Sequence, residues 1–454
     1  MGALFKSHSS SVTAPQGFSA AGVFCDIKRL GTGKGSSKGN KRDLALIVSA
    51  VPATVAGMFT TNQICAAPVK LCAARMKGGT AQAIVINSGN ANACTGKQGF
   101  ADAVAMSESA AKQLKLPASQ ILVASTGRIG VTMPMANVNN GITACAKILG
   151  ATPEHAAHAA EAIMTSDTRV KQVAVEFKLG GRTVRIGGIC KGAGMIQPGM
   201  SATGHRPALV PHSGGPHGGR LQGLHATMLC FITTDAAIEP AALRAALSEA
   251  VAHSFNRITV DGDMSTNDTV LVLANGLAKN AGISKAKRQD FATFQSALSH
   301  VCLELAKLIV RDGEGVTRFV TVRVSGAQNF KEADAAARAV ANSVLVKTSW
   351  FGGDPNWGRI IDALGYSAAT IVEEKVDIAY SAPGSKKRIH SLKKGQPTKT
   401  PFPQLCAAVA AKEFDLHIHL NLGKAAAVMY TCDLTEEYVD FNKGDVSDPT
   451  TLGG

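Results

Sequence analysis

Short apolar runs open the chain: Ala45 to Val51, Thr54 to Phe59 and Ala83 to Asn87, separated by stretches that contain Pro, Gly and polar residues. Runs of this length, apolar at most positions, predict strands buried on one or both faces. The period then lengthens. Between Cys94 and Lys115 the residues Ala101, Val104, Ala105, Ala111 and Leu114 recur at helical spacing, as do several apolar residues from Pro153 to Met164. The second half repeats the mixture, with helices over Glu239 to Phe255, Phe291 to Val310 and Asp334 to Val346 and an alternating strand over Phe319 to Val324. No repeat of fixed length is present, which argues against solenoids and propellers. The prediction is an α/β fold of layered sheets and helices.

With 454 residues, 45% of them apolar, the chain can bury a sizeable core as one large domain or two of ordinary size. No apolar run reaches the roughly 18 residues needed to span a bilayer, because the most apolar stretch, Leu44 to Phe59, is broken by Pro52 and Gly57. The opening MGALFKSHSSS has too short an apolar piece for a signal peptide, no Arg before Arg29 for a transit peptide, and Lys6 where myristoylation needs Ser or Thr. A cytoplasmic location is expected. The ten cysteines stand singly in apolar segments with no Cys-x-x-Cys pair, so they read as reduced and mostly buried. Lys plus Arg exceed Asp plus Glu by 47 to 33, a net charge of +14, which raises nucleic acid as a partner. Aromatics are only 5%, and no basic helix interleaves charge with stacking rings. A small acidic substrate accounts for the sign equally well, and neither nucleic acid nor membrane is expected as a partner.

Two segments break the pattern. Gly31 to Arg42 looks at first like a phosphate-binding loop, but Gly35 follows Lys34 where Ser or Thr should bind magnesium, and a strand-like run follows instead of a helix. It reads as a basic hairpin tip. Ser201 to Gly223 is rich in Gly, Pro and His, and its histidines His205, His212 and His217 lack the helical spacing that would converge on a metal. It reads as a surface insertion. Asp261-Gly262-Asp263 lacks the glycine and distal glutamate of a calcium loop, and no metal is predicted.

On either side of the insertion lie Lys191-Gly192-Ala193-Gly194-Met195-Ile196-Gln197-Pro198-Gly199-Met200 and His225-Ala226-Thr227-Met228-Leu229-Cys230. Rejoined, they resemble the signature of the ornithine acetyltransferase family, in which Lys-Gly-x-Gly-Met-Ile-x-Pro-x-Met leads directly into Ala-Thr-Met-Leu. The resemblance extends over nearly the whole chain, through Thr60-Thr61-Asn62, Asn87 to Ala93, Ser125-Thr126-Gly127, Ile163 to Thr168, Thr259 to Asp263, Arg311 to Gly315 and Asp354 to Ile360. It implies a self-cleaving, N-terminal-nucleophile hydrolase-like architecture related to aminopeptidases and amidases. Cleavage between Ala226 and Thr227 would give an α chain, residues 1–226 with the insertion 201–225, and a β chain, residues 227–454. Two of each are expected to associate as a heterotetramer.

Read locally, Thr227 is a buried strand threonine; the family makes it the nucleophile. A threonine hydroxyl needs a base within hydrogen-bond reach, and the α-amine freed by the cut, with an ordinary pKa of about 7.7 to 8.0, supplies one on the same residue. The family also implies Thr126 and Gly127 as oxyanion donors, against a plain reading as a Ser-Thr-Gly turn. Its substrate contacts fall on Thr168, Lys191, Thr227, Glu314, Asn442 and Ser447. Lys191 suits a carboxylate and Glu314 a cationic side chain; otherwise they are a surface lysine and a turn acid, and Thr168 a helix cap. After Asn442 the segment Lys443 to Ser447 departs from the family wording. Ala202-Thr203 offers a second Ala-Thr bond, but Gly204 and His205 follow it where the family has an apolar strand.

The implied activity is transfer of acetyl from N2-acetylornithine to L-glutamate in arginine biosynthesis through an acetyl-threonine, with no cofactor and with acetyl-CoA as an open co-substrate. The competing readings are a related self-cleaving amidase or aminopeptidase and an uncut, non-catalytic binding subunit.

Overall fold

The computed structural model describes residues 5–28, 41–205 and 227–443. They build two sheets. The larger has ten strands: β1 (Lys6–Ser7), β2 (Phe18–Val23), β3 (Leu44–Thr60), β4 (Thr80–Asn90), β5 (Ile121–Arg128), β6 (Lys171–Leu179), β7 (Arg182–Lys191), β8 (Met200–Ser201), β9 (Leu229–Thr234) and β10 (Thr269–Ala274). Their order is β1-β6-β7-β9-β10-β3-β4-β5, with β2 and β8 added along β3.

The long strand β3 decides the architecture. It joins the two runs that the sequence separates at Pro52. Its first part pairs with β2 and β4 and its second with β10, and the ladder to β4 is interrupted between Val48 and Ala53. Proline has no N–H to give a ladder, so it is tolerated where pairing already lapses. Beyond that break β3 passes from one sheet layer into another, and the alternation of side chains shows it. Leu229, Phe231, Leu271 and Leu273 share one core with Ala45, Ile47, Ile84 and Ile86. Cys230, Ile232, Val270 and Val272 instead face the helices Pro240–Ala252 and Arg288–Arg311. Leu44, Leu46, Ala83 and Val85 face the helices Ala67–Arg75, Gly96–Leu114 and Met135–Lys147. The layers run helix, sheet, sheet, helix, with each buried Leu, Ile or Phe contributing on the order of 1.5–3 kcal/mol.

The smaller sheet, β11 (Phe319–Ala327), β12 (Asp377–Ser381), β13 (Ile389–Lys393), β14 (Gln396–Pro397), β15 (Glu413–His419) and β16 (Ala425–Cys432), runs β14-β13-β12-β15-β11-β16 around its own core of Trp350, Tyr380 and Phe414. It draws only on residues after 318, whereas the larger sheet takes strands from both sides of position 226, with β7 and β9 paired directly. The two structural units therefore do not coincide with the two chains expected from cleavage.

Two helical expectations shift. In Gly96–Leu114 the buried face is Gly99, Asp102, Ala103, Met106, Ser107, Ala110 and Ala111; the expected Ala111 lies on it, whereas Ala101 is exposed and Val104 half-buried, because polar members take part in the face: Asp102 accepts from Gln98 and Ser107 from Arg75. The stretch Asp334 to Val346 is two helices, Phe330–Asn342 and Val344–Phe351, since Ser343 leaves helical geometry and its hydroxyl caps the second by accepting from the Val346 N–H. All ten cysteines are free thiols; six are buried and Cys94 is exposed. Among the described residues no helix is long and apolar enough to cross a membrane. Most of the Gly31 to Arg42 segment, the insertion beyond His205, Ala226 and Ser447 lie outside the described residues.

Candidate active site

Thr227 immediately precedes the Met228 that leads into β9, a strand buried at every position, and is itself only 2% exposed. Its Oγ1 lies 2.8 Å from Ser265 Oγ. The Asn267 N–H donates to that same Ser265 oxygen at 3.1 Å, and the Met228 N–H donates to Asp268 Oδ1 at 3.0 Å. Ser265, Asn267 and Asp268 belong to the run just ahead of β10. Because β10 lies parallel to β9 with Thr269 opposite Leu229, the residues preceding one strand sit beside those preceding the other. Sequence reasoning missed Ser265 and Asp268 for this reason. The one available signal was a polar run, Ser265-Thr266-Asn267-Asp268, set directly before an apolar strand. Burial pushes the Asp268 carboxyl up to about 8 although the Met228 and Ser265 amides favour the carboxylate, and among the described residues its Oδ2 has no hydrogen-bond partner.

Thr126 and Gly127 lie on β5, not in a turn. Gly127 has φ +134°, and a Cβ there would stand 2.2 Å from the Gly89 carbonyl carbon, so glycine is required. The Asn267 side-chain amide donates to Ser125 O at 2.8 Å, which ties this strand end to the Ser265–Thr227 pair.

Lys191 closes β7 and is fully buried, so it is no surface lysine. Its Nζ donates to Thr165 Oγ1 at 2.6 Å and to Thr126 Oγ1 at 3.3 Å, and stands 4.0 Å from Asp167 Oδ2. Burial pushes the ammonium down to about 8, against the pull of Asp167. The next residue, Gly192, abuts Thr227: a Cβ there would be 3.5 Å from the Thr227 backbone carbonyl oxygen.

Glu314 is 7% exposed, a buried acid rather than a solvated turn residue. Asn442 Nδ2 donates to its Oε2 at 2.8 Å, and its own N–H donates to Ala193 O at 3.0 Å. Thr168 is not a helix cap, since the preceding helix ends at Ala162; both its N–H and its hydroxyl donate to Asp312, leaving the hydroxyl lone pairs to accept from a ligand. The Asp261 carboxylate, in the segment that superficially suggests calcium, accepts from the backbone N–H groups of Met195, Ile196 and Asp263. It thereby fixes the turn after Gly194, where Met195 sits at φ +51°.

Gly194 yields a sharp expectation. A Cβ at this position would lie 2.5 Å from Glu314 Oε2, and Asn442 holds that carboxylate in place. Gly194→Ala must therefore displace the Glu314 carboxylate, and the Michaelis constant for a cationic substrate is expected to rise about tenfold or more with little change in melting temperature. Steady-state kinetics beside a thermal melt check this.

A buried hydroxyl at the head of a central strand, flanked by a glycine-bearing strand end and a buried ammonium, is an arrangement on which an α/β enzyme can carry out chemistry at a hydroxyl. The chain belongs to the ArgJ family, whose model matches residues 20–444. It is 46% identical over 431 residues to the arginine biosynthesis bifunctional protein ArgJ of Symbiobacterium thermophilum, covering 95% of this chain and 97% of that one. It is 42% identical over 438 residues to the glutamate N-acetyltransferase of Methanocaldococcus jannaschii, covering 95% and 97%. Among solved structures, the ornithine acetyltransferase of Mycobacterium tuberculosis complexed with ornithine is 36% identical, with a TM-score of 0.40, covering 43% of this chain and 100% of that one.

Proposed function

We propose that this acetyltransferase of arginine biosynthesis moves an acetyl group from N2-acetylornithine to L-glutamate through an ester on Thr227, after cutting itself between Ala226 and Thr227. The supporting observation is the placement of the Thr227 hydroxyl, buried at the head of β9 against Ser265, beside the strand end that carries Lys191.

In the cut, Thr227 Oγ1 attacks the Ala226 carbonyl carbon and the Thr227 nitrogen leaves as an amine. Water then hydrolyses the ester, giving the Ala226 carboxylate and a free α-amine on Thr227. That amine takes the hydroxyl proton when Thr227 attacks the acetyl carbonyl. The Thr126 hydroxyl and Gly127 N–H act as oxyanion donors, each on the order of a hundredfold or more in rate. The ornithine amine departs with a proton, and the glutamate amine attacks the acetyl-threonine in turn. Lys191 meets the substrate α-carboxylate, Glu314 meets the ornithine ammonium, Asn442 orients Glu314, and Thr168 accepts from the substrate. The two chains stay together because β7 and β9 are neighbours in one sheet; two copies of each complete the assembly.

Initial rates of N-acetylglutamate formation, with both substrates varied, test the reading. Parallel double-reciprocal lines are expected, as two displacements on one nucleophile require. Hydrolysis of N2-acetylornithine outrunning transfer at saturating glutamate would contradict it.

A further inference from the structure

One buried cation takes no part in the chemistry above. Lys171, the first residue of β6, is 1% exposed, and its Nζ donates to Asp167 Oδ1 and to Asp312 Oδ2. Each of those carboxylates also grips an element of the substrate site. Asp167 Oδ1 accepts from the Gly192 N–H at 2.7 Å, next to Lys191, and its Oδ2 accepts from the Thr165 N–H at 3.0 Å and lies 4.0 Å from Lys191 Nζ. Asp312 accepts from the Thr168 N–H at 3.1 Å and from the Thr168 hydroxyl. It also lies two residues before Glu314 along the chain, with Arg169 Nε 3.6 Å from its Oδ1.

We propose that Lys171 is a positioning residue for substrate recognition: one ammonium, bridging Asp167 and Asp312, locks the loop of Thr165 and Thr168 and the turn of Glu314 to the strand end that carries Lys191. The inference rests on the function proposed above. A buried charge is costly unless paired and hydrogen-bonded, and here the two carboxylates are matched by Lys171 and Lys191, with Arg169 at the margin. Burial disfavours the Lys171 ammonium, yet Asp167 and Asp312 more than offset this and hold its pKa above the ordinary lysine value. Asp167 is held well below the usual carboxylate range: burial pushes it up, and Lys171, Lys191 and the Gly192 amide outweigh that. Asp167 and Lys171 therefore stay charged across the working pH range. Lys171 itself is sealed off from ligand, so it acts only through the residues it aligns.

Arginine keeps the charge but spreads it over a planar fork that cannot occupy the site of a compact ammonium. In Lys171→Arg, self-cleavage is expected to persist by intact mass. KM for N2-acetylornithine is expected to rise about tenfold or more while kcat changes by no more than about threefold, the pattern of lost uniform binding. The paired variant Lys171→Met with Asp312→Asn removes one charge of each sign, so it should fold where Lys171→Met alone does not, and it should keep the raised KM. A lowered melting temperature with KM unchanged in either cleaved variant would overturn the proposal and leave Lys171 merely structural. Absence of glutamate-dependent transfer in the unaltered enzyme would instead sink the parent reading, and this inference with it.

Discussion

Thr227→Ala is expected to lower acetyl transfer to glutamate by a factor on the order of 10⁴ or more, while Thr227→Ser, which keeps an oxygen in place, retains measurable transfer. In the proposed mechanism the deletion removes the atom that forms the ester and, through the lost cut, the amine that serves as its base. It should cost little stability. Ser265 loses one contact at 2.8 Å but still accepts from the Asn267 N–H, so the deficit is about 1 kcal/mol. Assay of N-acetylglutamate formation beside a thermal melt separates the two effects; a melt that collapses together with activity would assign Thr227 to the fold instead.

Lys191→Met is expected to lower kcat/KM by about 10² or more, the usual scale for removing one partner of a buried charge pair. It should also change the shape of the pH profile. In the proposed mechanism two groups act in opposite directions. The Thr227 amine must be neutral, so activity rises as pH climbs through its pKa; Lys191 must be charged, and with its ammonium pushed down to about 8, activity falls as pH climbs past that value. The facing groups are Asp167, Lys171, Glu314 and Asp268. Methionine removes the alkaline limb attributable to Lys191. With a positive neighbour gone, the amine should also hold its proton to higher pH, moving the acid limb up. Profiles of kcat/KM between pH 6 and 10, on the order of the range both groups titrate in, check both shifts, and a profile of unchanged shape would remove Lys191 from the substrate site.

What the sequence discloses follows the range of the forces involved. The helices Gly96–Leu114 and Arg288–Arg311 are legible because their period is local, although the buried face of the first includes Asp102, which accepts from Gln98 on its own helix, and Ser107, whose partner Arg75 lies on another. The strand Leu44–Thr60 reads as two because Pro52 punctuates it, and only its neighbours β2, β4 and β10 show that one strand serves both layers. The site divides in the same way. Thr126, Gly127, Lys191, Thr227 and Glu314 carry recognisable local wording. Ser265 and Asp268 become partners of Thr227 only through the parallel register of β9 and β10, which no local pattern encodes. Likewise, nothing in the run Ile163 to Thr168 reveals that Asp167 and Asp312 share one buried lysine.

The proposed mechanism requires a cut at the bond before Thr227, and intact-mass spectrometry of the purified protein reads that bond. Two species are expected, the second beginning at Thr227, with a single uncut chain for Thr227→Ala. A single uncut chain in the unaltered protein, fully active in glutamate-dependent transfer, would contradict it.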